Sequence, residues 1–261
     1  MNVLDMFNLD GKVAVVTGGA GLYGYQIVRA LAGSGAKVYV ASRNKSNNEQ
    51  KLSTLIEKGA KIEFLEFDLE DEQSILDMCD AVYAAEKKVD ILVNNAVLRC
   101  TNGYTDSAEN FDRSLSANGT GLFVISRAFG DQMAKDGGGS IINIGSYMGI
   151  LGPDYFIYNG TDMNKSGAPG DYFFHKGGMT NYTRFLASHY GKFGVRVNCA
   201  ELGGLFNNQP EKFVKRYNEN TMLGRMANDT DLMGLIVYLA SDASAYMTGA
   251  IIPLDGGYSA K

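Results

Sequence analysis

No stretch of this 261-residue chain reaches about 18 uninterrupted apolar residues, so no membrane-spanning helix is expected. The segment from Met1 to Phe7 has no basic region ahead of a long apolar run and does not look like a signal peptide, which makes the cytoplasm the expected compartment. Lys and Arg form no long block and the formal net charge is −5, so neither nucleic acid nor an anionic membrane is suggested as a partner. Histidine is scarce: His175 and His189 stand apart, no Cys/His cluster has zinc spacing, and no metal site is expected. The three cysteines, Cys79, Cys100 and Cys199, are scattered and odd in number, which fits reduced thiols better than a disulfide framework. No proline-rich linker, low-complexity tract or internal repeat divides the chain, leaving one large α/β domain over residues 1–261 as the expectation.

What is present alternates between strand and helix patterns. Short apolar runs at Lys12 to Thr17, Lys37 to Ala41, Ile62 to Phe67, Asp90 to Val93, Gly139 to Gly145, Gly194 to Ala200 and Ala250 to Leu254 read as seven strands. Helical patterns lie between them, among them about Asp71 to Lys87, Phe111 to Ala134, Pro210 to Asn220 and Asp229 to Ser241. That alternation predicts one doubly wound, mostly parallel sheet with helices on both faces. The first strand runs into Gly18-Gly19-Ala20-Gly21-Leu22-Tyr23-Gly24 and then a helix through Ile27, Val28 and Leu31. Glycines let the chain turn sharply against a ligand, and the helix start offers free N–H groups to a pyrophosphate, so this stretch reads as a dinucleotide site.

The end of the second strand, Ser42-Arg43-Asn44, carries no acid until Glu49. An acid there usually bonds a ribose 2′-hydroxyl, whereas an arginine accommodates a 2′-phosphate, so NADP(H) is favoured over NAD(H) unless Arg43 is only a solvated surface residue. Asp68 ends the third strand, where it would bond a ligand or cap a helix. Asn118 sits inside an apolar helix pattern and needs a partner, as a structural bridge or as part of a site. Ser146 follows the fifth strand, and carboxyl ends of parallel strands are where such sheets place ligands. Tyr172 and Lys176 stand four apart, on one face of a helix. An ammonium beside a phenol favours the phenolate and lowers a pKa that is otherwise near ~10, which makes the phenol a usable acid or base.

Taken together, Thr17-Gly18 to Gly24, Asp68, Asn94-Asn95-Ala96, Asn118, Ser146, Tyr172-x-x-x-Lys176 and Leu254-Asp255-Gly256-Gly257 resemble the classical short-chain dehydrogenase/reductase family over nearly the whole chain. The resemblance implies a Rossmann fold and hydride transfer between a nicotinamide and a carbonyl or alcohol carbon. By likeness, Tyr172 is the general acid or base, Lys176 tunes it and bonds the nicotinamide ribose, Ser146 polarises the substrate oxygen, and Asn118 holds a relay water. Cofactor contacts would fall on Gly18, Gly21, Leu22, Tyr23, Gly24, Ser42, Arg43, Asp68, Leu69, Asn95, Ala96, Tyr172, Lys176, Gly203 and Leu205. A homotetramer or homodimer is implied as well, packed through the helices bearing Asn118 and Tyr172.

Four places depart from the family pattern. Leu22 replaces the usual middle glycine, Val97 follows Asn94-Asn95-Ala96 where a glycine is usual, and Leu202-Gly203 stands for Pro-Gly. Glu201, just before, is expected either to loosen cofactor binding or to face solvent. The interval from Ser146 to Tyr172 is also longer than usual, with the surplus at about 152–170 rich in Gly, Pro, Asn, Asp and Tyr. Asp154, Tyr155, Tyr158, Asn159, Thr161, Asp162 and Asn164 suit a polyhydroxylated ligand, and Asp154 and Tyr158 join Ser146 and Tyr172 as candidate substrate contacts. The loop reads equally as a brace for a subunit contact. A small polar substrate, a sugar, sugar acid or polyol derivative, is the leading expectation. Reduction of a 3-oxoacyl group on a carrier protein is a second, and a dinucleotide-binding regulator a third. His175 is expected to pack at the flank of its helix.

Overall fold

The computed structural model describes residues 2–163 and 165–261. Its sheet is built from β1 Val13–Thr17, β2 Lys37–Ser42, β3 Ile62–Glu66, β4 Ile91–Asn94, β5 Gly139–Ile144, β6 Val195–Leu202 and β7 Ile251–Leu254. They lie in the order β3-β2-β1-β4-β5-β6-β7, and every neighbouring pair is parallel. The order reverses direction between β1 and β4, and the crevice at such a switch point is where open α/β sheets bind ligands.

The β period of two sends alternate residues to opposite layers. Ala14, Val16, Ile91 and Val93 pack on one side with Ile27, Val28 and Leu31 of α1 (Leu22–Gly33), Leu52 of α2 (Lys45–Glu57) and Ile236 and Leu239 of α8 (Met233–Ala240). Val15, Leu92 and Ile141 pack on the other with Ile75 and Val82 of α3 (Glu72–Ala85), Phe129 of α5 (Leu122–Lys135) and Leu186 of α6 (Gly170–Tyr190). Each fully buried aliphatic side chain contributes about 1.5–3 kcal/mol, against roughly 1 kcal/mol for a helix cap. Burial therefore decides where the helices lie, and caps decide where they begin, as at Asp71, whose carboxylate accepts the Gln73 and Ser74 N–H groups.

Three elements differ from the sequence expectation. The periodicity marks no helix at α2, because it buries only Asn48 and Leu52; an Asn44 cap on the Asn47 N–H starts it. Strand β6 runs two residues further than expected, since no proline interrupts it and Glu201 and Leu202 pair with Pro253 and Leu254. The last long helix begins late, because the Asn228 side chain accepts from the Thr230 and Asp231 N–H groups and holds the preceding stretch in a turn.

The helix expected through Asn118 is continuous from α4 (Ala108–Leu115) into α5, but Ser116–Gly121 between them is a π-helical turn. Gly121 permits its position: a β-carbon there would lie 2.3 Å from the Leu69 carbonyl oxygen. Between β6 and α8, α7 (Glu211–Asn220) covers the segment that follows β5. No described helix is long and apolar enough to cross a membrane.

Candidate active site

A cavity of about 750 Å³ opens along the carboxyl ends of the strands and reaches from Arg43 and Lys51 at one end to Tyr158 and Pro169 at the other. At its floor, Gly18 has φ +65°, a value that side-chain-bearing residues rarely adopt, and Gly24 comes so close that a β-carbon would stand 2.2 Å from the Gly18 carbonyl oxygen. The turn survives Leu22 because that residue begins α1 with its side chain largely exposed, while Gly21 serves as the extended N-cap. The first N–H groups of α1 have no intrahelical partner, and Leu22, Tyr23 and Gly24 form part of the cavity wall.

The neighbouring strand end is locked to this turn. Thr17 Oγ1 accepts the Asn95 and Ala96 N–H groups at 3.0 and 2.9 Å, and Asn95 Nδ2 donates to the Thr17 and Gly18 carbonyls at 3.0 Å each. Every residue that the sequence marks for the cofactor lines the cavity, although the Asn95 side chain is spent as a clamp. A glycine floor that excludes β-carbons, a helix start at the wall and cations at the β2 end fit an extended dinucleotide. Ser42 Oγ accepts from Asn48 Nδ2 at 2.6 Å, so charge at that end is presented by Arg43 and by Lys51, which sequence reasoning did not mark.

Ser146, Tyr172 and Lys176 meet where β5 and α6 adjoin the cavity. Ser146 is buried and its Oγ accepts the Met148 N–H at 3.2 Å, which leaves the hydroxyl proton available to another acceptor. Lys176 is buried, its Nζ donates to the Ile144 carbonyl at 2.6 Å and it lies 5.8 Å from the centre of the Tyr172 ring. The Arg99 guanidinium carbon stands 5.0 Å from the same ring. A buried chain, Asn94 to Asn143 to Thr183, crosses from β4 through β5 to α6 and helps to hold the tyrosine-bearing helix against the sheet. None of Asn143, Thr183 or Arg99 was marked by motif.

Two expectations need correction. Glu201 does not face solvent: it is fully buried, and its carboxylate accepts the Ser146 N–H at 2.5 Å and the Thr180 hydroxyl at 2.6 Å. Its place beneath the carboxyl end of β5 depends on Gly145, where a β-carbon would stand 2.4 Å from Glu201 Oε2. Asp154 is not in the cavity; it accepts the Phe156 N–H and Asn220 Nδ2, bonding the loop to α7.

Much of that loop is bound in the same way. Arg216 donates to the Phe156 and Asn159 carbonyls, the Thr161 hydroxyl donates to the Tyr158 carbonyl, and Asp162 pairs with Lys165 at the surface. Tyr155 is exposed, and Asn164 lies outside the described residues. Tyr158, packed on the Phe213 ring, does reach the cavity wall, together with Met163.

Asn118 and His175 lie behind the main cavity, around a void of about 10 Å³ that Lys176 also lines. Both sides of the Asn118 amide are engaged, accepting the Leu98 N–H at 2.9 Å and donating to the Leu98 carbonyl at 2.7 Å and to Ser114 Oγ at 3.1 Å. His175 is 5% exposed, packs edge-on against Tyr172, and among the described residues has no hydrogen-bond partner at either ring nitrogen. Burial, then the neighbouring Lys176 charge, push its pKa down from 6.5 to about 3, so the ring is neutral. Burial, with Glu201 adding to it, raises the Cys199 thiol, which makes it an unpromising nucleophile.

Residues 21–259 match the family described as enoyl-(acyl carrier protein) reductase. The chain is 33% identical to D-threitol dehydrogenase of Mycolicibacterium smegmatis, over 98% of this chain and 95% of that one. Among solved structures, a gluconate 5-dehydrogenase from Burkholderia cenocepacia J2315 in complex with NADP and tartrate superposes with a TM-score of 0.88 at 25% identity, covering 100% of both chains. A short-chain dehydrogenase from Leptospira borgpetersenii with bound NAD+ gives 0.85 at 30% identity, over 99% of this chain and 96% of that one. The strand order, the glycine turn and the meeting of Ser146, Tyr172 and Lys176 in one cavity thus belong to a shared design: this chain is an oxidoreductase of the short-chain dehydrogenase/reductase family.

Proposed function

We propose that the protein interconverts an alcohol and a carbonyl on a sugar, sugar acid or polyol derivative, with NADP(H) as its preferred cofactor. The observation that carries this reading is the joining, in one cavity, of a dinucleotide cradle and the Ser146, Tyr172 and Lys176 side chains. When bound, the nicotinamide supplies or accepts the hydride. Oxygen at the reacting carbon gains negative charge during reduction, and two preplaced donors there stabilise it. Ser146, whose lone pair is already engaged by Met148, donates its hydroxyl proton to that oxygen. Tyr172 passes a proton to the oxygen in reduction and removes it in oxidation. Lys176, anchored on the Ile144 carbonyl, is held beside the Tyr172 ring. Asn118 acts in this reading mainly through the backbone it holds at Leu98.

Relatives that oxidise threitol or gluconate support the substrate class. Tyr158 supports a substrate-facing role for part of the loop at 152–170, while the rest of it braces α7. Exposed Phe123 on α5 and Phe185 on α6, the latter stacked with Tyr182, support a dimer or tetramer formed through those helices.

Fluorescence titration with NADPH and NADH tests the cofactor. NADPH is expected to bind more tightly, and Arg43→Ala to weaken NADPH by roughly tenfold, as expected for loss of a charge-assisted phosphate contact. Equal affinity for both nucleotides would overturn the preference for NADP(H), and binding of neither would overturn the oxidoreductase reading itself.

A further inference from the structure

We infer that Arg99 forms a carboxylate-binding subsite, so that the substrate is a hydroxy or oxo acid rather than a neutral polyol; this rests on the oxidoreductase reading of the same cavity. Arg99 lines the cavity and its guanidinium carbon stands 5.0 Å from the Tyr172 ring centre. Among the described residues no carboxylate lies within 4.0 Å of it. Asp171, the acid on the adjoining end of α6, is engaged by the Thr101 hydroxyl. Among the described residues the one carboxylate in the cavity wall is Asp68, which accepts the Glu70 N–H.

The mount is rigid. Leu98, the residue before Arg99, is held through both its N–H and its carbonyl by Asn118, and Thr101 is tied to Asp171. The chain on either side of Arg99 is therefore tied to a different helical segment, at Leu98 through the backbone and at Thr101 through the side chain, and the guanidinium is presented next to the candidate proton donor. A planar guanidinium matches a carboxylate with two parallel hydrogen bonds, a geometry that an ammonium cannot reproduce. A carboxylate seated there brings a hydroxyl or keto carbon a few bonds away to Tyr172 and Ser146. The atoms that react are those of the alcohol–carbonyl exchange already described, and the carboxylate is unchanged.

The test uses the intact protein loaded with whichever nicotinamide nucleotide binds it, and two pairs matched in carbon count and secondary hydroxyls: tartrate with threitol, and gluconate with glucitol. Turnover, or competitive inhibition where there is none, gives each compound's affinity. In at least one pair the acid is expected to bind at least about tenfold more tightly than its polyol. Arg99→Gln should collapse that preference by roughly ten- to a hundredfold through KM or Ki, and Arg99→Lys should restore only part of it. Nucleotide affinity, measured on the same samples, shows that each variant is folded. Polyols binding as well as acids, no acid binding at all, or a fall in kcat equal for both partners with KM unmoved would each overturn the subsite. The last outcome would assign Arg99 to the positioning of Tyr172. Loss of nucleotide binding in the unaltered protein would instead overturn the oxidoreductase reading.

Discussion

His175 makes the stability of this protein depend on pH in a way that can be worked out. Its ring is 5% exposed, neither nitrogen has a hydrogen-bond partner among the described residues, and burial followed by the Lys176 charge lowers its pKa to about 3; Arg99 acts in the same direction and Asp171 against it. In the unfolded chain the imidazole titrates near ~6.5. A base whose folded pKa is depressed binds protons in the unfolded state first. The stability from its neutral burial is therefore complete above about pH 6.5 and drains away as pH falls towards about 3. Linkage gives a loss of roughly 2 kcal/mol between about pH 8 and about pH 5 from this one group. His175→Leu removes both the titration and the two unpartnered nitrogens. The chain has no tryptophan, so urea unfolding is best followed by far-UV circular dichroism, for both proteins at several pH values. The stability difference between variant and parent should shift in the variant's favour by roughly 2 kcal/mol from about pH 8 to about pH 5. A difference that stays constant to within about 0.5 kcal/mol over that range would refute the reasoning, by showing that the folded imidazole accepts its proton as readily as the unfolded one.

Two further outcomes follow from the site. Tyr172→Phe should lower kcat by roughly 10²- to 10⁴-fold, the span of a general acid or base, while fluorescence titration finds nucleotide affinity within about twofold of the parent; a smaller fall in kcat would place the proton transfer elsewhere. Glu201→Ala leaves the Ser146 N–H without its buried acceptor, while the Thr180 hydroxyl can turn to the Lys176 carbonyl, and should cost roughly 1–3 kcal/mol. Urea midpoints at neutral pH measure it, and a cost below about 0.5 kcal/mol would mean that the Ser146 N–H finds another partner.

How much could be read in advance depended on how local each constraint is. The strand–glycine–helix unit was legible because the positive φ of Gly18 and the close approach of Gly24 are demands that neighbouring residues place on one another. Tyr172 and Lys176 were legible because one helix fixes their relation. Glu201 was not, since its partners Ser146 and Thr180 lie on β5 and α6 and reach it only once those elements pack against β6. Asp154 misled for the same reason: composition pointed to a ligand, but its partner is Asn220, 66 residues away. Arg99 belongs to no motif, and its relation to Tyr172 arises from two loop anchors that form between distant segments. Helix α2 escaped because an Asn44 cap and one buried leucine leave little periodic signal.

The contact between Gly145 and Glu201 also constrains the order in which this site can change. With the carboxylate in place, any side chain at 145 collides with it and with the Cys199 sulfur, 2.7 Å from where a β-carbon would lie. Replacing Glu201 and Cys199 by smaller residues first opens that space, whereas the reverse order passes through an overlapped intermediate. The three positions are therefore epistatic, and a library that varies residue 145 alone samples almost none of the sequences that the fold could accept there.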